Sequence, residues 1–162
     1  MISQEELQKK IADIKKSNAV DLSLDEDLAI GVMNLISLEE HNFFNAEKTG
    51  KTEYFEMLRE IREMRKDLLA KLIPRNEGET WCTCKHLLAA SMRLMEVGTK
   101  LLGDGKNDEA KEMFDRGYKL FTMFWGLRLK LIELPDIKAE AAKEQPMTLQ
   151  DIVNKMVDCC DE

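Results

Sequence analysis

The stretch from Trp81 to Leu134 constrains the fold most, because two long apolar-periodic segments meet there across one short turn, Gly103-Asp104-Gly105-Lys106-Asn107. In the first segment Leu87, Leu88, Ser91, Leu94, Met95, Gly98, Leu101 and Leu102 recur at three- and four-residue steps, the spacing of one helix face. The second segment repeats the pattern with Ala110, Met113, Phe114, Gly117, Phe121, Phe124, Leu131 and Ile132. Phe114, Tyr118, Phe121, Phe124 and Trp125 give it most of the chain's aromatic mass. The expectation is a helical hairpin that nucleates the core, its second helix closed by Pro135.

The rest of the chain supplies further helices. Ser3 and Glu6 form a capping box ahead of Leu7, Ile11 and Ile14, which predicts a short helix ending near Ser17. Ser23 and Glu26 repeat the device before a long helix through Val32, Met33, Ile36, Phe43 and Phe44, which Gly50 stops in a left-handed conformation. Thr52 caps a third helix, with Tyr54, Met57, Leu58, Ile61, Met64, Leu68 and Leu72 on its buried face and Pro74 at its end. Thr80 caps the fourth. After Pro135 an Ala-, Lys- and Glu-rich linker leads to Pro146 and Thr148, then to an amphipathic set of Leu149, Ile152, Val153, Met156 and Val157. No stretch alternates apolar and polar residues as a half-buried strand does. The fold class expected is therefore all-α. Short loops make it an antiparallel up-down four-helix bundle with additional N- and C-terminal amphipathic helices. Residues 1–134 form the bundle domain and 135–162 a linker and helix packed on the same domain.

Composition narrows the function classes. A chain of 162 residues can bury a core without disulfides or metals. Its 31 acidic against 24 basic residues give a net charge of −7, which disfavours nucleic acid and anionic membranes. The polar N-terminal residues lack the apolar core of a signal peptide and no run approaches a membrane span, so the expectation is a cytoplasmic protein without membrane contact. Four cysteines in that setting read as thiols or metal ligands.

Between Leu94 and Thr122, the residues Leu94, Val97, Gly98, Leu101, Gly105, Glu109-Ala110, Phe114 and Gly117 follow one another in an order that resembles a single tetratricopeptide repeat, a helix-turn-helix unit with small residues where its helices touch. The family's usual aromatic at the Leu101 place and alanine at the Gly117 place are both changed, and no second copy follows at the repeat period. The resemblance implies a protein-binding scaffold without catalysis. The same small residues serve any two helices that approach closely.

Three charged residues fall on apolar stripes. Glu40 sits among Ile36, Phe43 and Phe44, where an unpaired carboxylate is costly to bury. Helix register offers it Arg59 or Arg62, with Arg65 about two turns further along. Arg128 lies among Phe124, Trp125, Leu131 and Ile132, with Asp25 or Asp27 level with it and Trp125 available for stacking. The candidate metal ligands are Cys82, Cys84 and His86, to which Cys159 and Cys160 of the acidic C-terminal stretch can add for zinc or iron. On a regular helix Cys82 and His86 share a face while Cys84 turns to the apolar side, so the three converge only if the first turn is irregular. Gly50-Lys51-Thr52 is no phosphate loop, since a helix precedes it and Asn45 stands where a glycine belongs. Arg59, Arg62 and Lys66 form a basic stripe beside acids at ion-pair spacing, a solvated face. The sequence specifies no organic cofactor and no nucleophile-base pair. The function expected is a non-enzymatic helical interaction or scaffold protein that binds a protein partner or itself. The alternative is a metal-binding or redox-linked bundle built on Cys82, Cys84 and His86.

Overall fold

The computed structural model describes residues 3–17, 21–75 and 79–134, all of its regular structure helical. The helices are α1 (Gln4–Ser17), α2 (Leu22–Thr49), α3 (Glu53–Leu72), α4 (Glu79–Gly103) and α5 (Asn107–Arg128). No strand occurs among the described residues. The expected C-terminal helix from Thr148, and the order of the linker before it, lie outside them.

Helices α2 and α3 pair as one hairpin and α4 and α5 as another, and the two hairpins meet mainly through α2 and α4. Both pairs run antiparallel. Glu39 of α2 meets Arg65 of α3, while Ser91 and Gly98 of α4 meet Gly117 and Phe114 of α5. The second hairpin closes tightly because its contact residues are small. A Cβ on Gly98 would stand 2.5 Å from Cε1 of Phe114, and one on Gly117 would stand 3.2 Å from the Ser91 carbonyl oxygen. Ser91 Oγ donates to the Gly117 carbonyl at 2.8 Å, so the same close approach that excludes side chains satisfies a buried hydroxyl.

The core lies at one end of this arrangement. It is built from Ala29, Val32 and Met33 near the start of α2, Leu69 and Leu72 at the end of α3 with Ile73 after it, Trp81, Cys84, Leu87 and Leu88 at the start of α4, and Phe124 and Leu127 at the end of α5. Each large side chain removed from water there contributes about 1.5–3 kcal/mol. Towards the opposite end, where Gly50 and Gly105 make the hairpin turns, large apolar side chains remain exposed. Phe43, Phe44, Phe55, Met57, Met95 and Leu102 are all between 43% and 51% exposed.

The helix ends show what the sequence pattern misplaces. Asp21, not Ser23, caps α2, its carboxylate accepting from the amides of Ser23 and Leu24 at 3.2 and 3.1 Å. Thr52 precedes α3 without a side-chain capping bond, and Thr80 falls inside α4. Helix α5 stops at Arg128, well short of Pro135. Lys130 turns left-handed (φ 54), its amide reaches the Leu127 carbonyl, and the Leu131 amide reaches that of Gly126 at 2.8 Å. This is the Schellman closure, and Gly105 (φ 76) makes the same one after α4, with Lys106 bonded to the Leu101 carbonyl. Ile132 then folds back over Gly126. At the N-terminus the capping box is present: the Ser3 amide and hydroxyl donate to Glu6 at 2.9 and 2.8 Å. Those two bonds, with a smaller contribution from Lys10, hold the Glu6 carboxyl below its ordinary range.

Candidate functional site

The charged residues of α2 show how its buried face is set. In its first half, Asp25, Ala29, Val32 and Met33 point into the space shared with the other helices. In its second half the buried positions become Asn42 and Ala46, with Glu39 half-buried beside them. The face therefore swings around the helix, because beyond the core α2 is covered chiefly by its hairpin partner α3. This displaces the expected buried glutamate by one residue. Glu40 is exposed and forms an ion pair with Arg93 of α4, a helix outside the candidates that register suggested. The carboxylate turned inward is Glu39. It accepts two bonds from Arg65, at 2.8 Å from Nε and 3.2 Å from Nη2, with Arg62 at 3.9 Å. Arg65 is 1% exposed, so this fork compensates a guanidinium taken almost wholly out of water.

Arg128 is largely buried and pairs through Nη2 with Asp25 at 2.7 Å. Its Nε is buried with no acceptor among the described residues. A different cation covers an indole, the Arg75 guanidinium lying 5.9 Å from the ring centre of Trp81.

The metal candidates do not assemble. Helix α4 is regular from Glu79, so residues two apart face nearly opposite ways. Cys84 is in the core and His86 is exposed. Cys82 is buried rather than partly exposed, and both cysteines are thiols outside any disulfide. Among the described residues no group of three His, Cys, Asp or Glu side chains is placed to hold an ion. Cys159 and Cys160 lie outside the described residues. The basic stripe of α3 is engaged with neighbours, Lys66 with Glu63 at 3.2 Å and Arg62 with Glu39.

What the surface does present is apolar. Phe43 and Phe44 form an edge-on pair with ring centres 5.3 Å apart, and Lys48 lies over Phe44 at 5.8 Å. Adjacent residues diverge by about 100° on a helix, so no single neighbouring helix covers both rings. That adjacency was the available sign that they would not both be core. Helix α1 adds a further apolar strip, with Ile11 38% exposed. Among the described residues no helix is long and apolar enough to cross a membrane. Comparison with protein-family models, curated proteins and solved structures returned no match. The tetratricopeptide likeness of the α4–α5 hairpin is thus confined to small residues at a close helix contact.

Proposed function

We propose that this chain is a non-enzymatic helical protein that works by binding protein, in the first place a second copy of itself, through the apolar surface of its turn-end half. The reading takes α2 to α5 as an up-down four-helix arrangement closed at one end and open at the other. The observation that carries it is the set of aromatic and methionine side chains around Phe43 and Phe44 left 43–51% exposed. Contiguous apolar surface of this kind marks interaction sites, and Phe and Met are enriched where proteins meet. The two buried thiols, Cys82 and Cys84, suit a reducing cytoplasmic setting.

A net charge of −7 opposes self-association at long range, and salt screens that repulsion within about 10 Å at 0.1 M. Sedimentation velocity therefore shows a mass that rises with protein concentration, more steeply at higher salt. Phe44→Glu returns the protein to monomer without loss of helicity, since Phe44 lies outside the core. A wild-type monomer throughout the concentration series, at low and high salt, overturns the reading.

A further inference from the structure

At the core end of the molecule, the last turn of α3 and the turn that closes α5 enclose a cavity of about 270 Å³. Leu72, Ile73 and Leu127, all buried, form its apolar walls. Its charged lining is Lys71, Arg128 and Lys130, and it includes no acidic side chain. Lys10 of α1 brings a fourth ammonium group to the same turn, donating to the Lys130 carbonyl at 3.0 Å. Asp25 answers only Arg128, so a chain with more acids than bases concentrates an excess of positive charge here.

Helix C-termini attract cations. That accounts for Lys71 and Arg128, which lie in the last turns of α3 and α5. It leaves out Lys130, which lies beyond the end of α5, and Lys10, which comes from another helix. Lys130 carries a second signal. Helices α2 and α4 end on a left-handed glycine, Gly50 and Gly105, whereas α5 ends on a left-handed lysine. Glycine takes that conformation without penalty and a branched-off side chain does not. Strain of this kind concentrates at functional positions. The backbone gains nothing from the lysine; the cavity gains a cation.

We infer that this cavity binds a small monocarboxylate with an apolar tail. Lysine and arginine recognise carboxylate or phosphate. The apolar walls favour a ligand with a hydrocarbon body over a bare hydrated anion, and the carbonyl ends of two helices weigh against a dianion. The site is remote from the surface proposed for self-association and does not rest on that reading.

The test is titration of the full chain with hexanoate, followed by amide chemical shifts, with 1-hexanol and sulfate as controls. The expected result is saturable hexanoate binding with Kd of about 1 mM, shifts centred on residues 70–74 and 127–130, and at least tenfold weaker responses to both controls. Lys71→Gln weakens binding about tenfold through loss of one charge contact. Lys130→Gly weakens it similarly while raising Tm by about 2–4 °C, because it removes the left-handed penalty. Absence of saturation, equal binding of hexanol or sulfate, shifts elsewhere on the molecule, or unchanged binding in both variants overturns the inference. The rise in Tm shows independently that the Lys130→Gly variant is folded.

Discussion

Removing the Arg65 guanidinium leaves the Glu39 carboxylate, 13% exposed, facing an apolar interface without its two charge-assisted bonds. Breaking one side of such a pair costs about 3–5 kcal/mol, whereas replacing both partners by apolar residues of similar size is close to neutral. Arg65→Ala is accordingly expected to lower the urea midpoint severely, and Arg65→Met with Glu39→Leu to restore most of it. A double variant no better than Arg65→Ala would show that the fork itself, not the stranded carboxylate, sets the cost. Turn counting could announce that α2 must accommodate a carboxylate near this level and that an arginine of α3 was within reach. It could not choose Glu39 over Glu40, because the two differ by a single step around the helix and the buried face swings by more than that once α4 no longer covers α2.

Between α4 and α5 the contact depends on missing side chains, and the two glycines differ in what opposes a methyl group. At Gly98 the obstacle is the Phe114 ring, at Gly117 the backbone oxygen of Ser91. Overpacking of a closed contact costs about 1–3 kcal/mol. Both Gly98→Ala and Gly117→Ala are expected to destabilise the fold in thermal melts. Adding Phe114→Leu rescues the first, since a ring can be replaced by a smaller group, and leaves the second unchanged. Rescue of both, or of neither, would contradict the geometry. This hairpin was the most legible element in the sequence because its spacing, its small residues and its glycine turn all agree. The end of α5 was not legible. Its apolar period runs on to Leu131 and Ile132, yet these side chains serve the fold-back over Gly126, and the stop is made by a lysine where glycine is the usual signal.

A core gathered at one end predicts a gradient of stability along every helix. Opening free energies follow the density of buried apolar contacts, so amides near Val32, Leu69, Leu88 and Phe124 are expected to exchange slowest. Those near Phe43, Phe55 and Leu102 exchange faster, although the helices there are continuous and hydrogen-bonded. Helix α1, whose stripe is only partly covered, exchanges with the fast group. Sequence periodicity alone points the other way: the apolar stripes of α2 to α5 run the length of each rod, which implies uniform burial. Only three-dimensional placement shows which part of each stripe meets other helices. Dilute hydrogen-exchange measurements resolve the matter, because concentration changes the answer in a defined manner. If a second copy covers Phe43 and Phe44, protection rises at the turn end as the protein is concentrated and stays constant at the core end. Uniform protection in dilute solution would mean that the turn-end half is already packed within one chain, and would remove the physical basis for an open, interacting end.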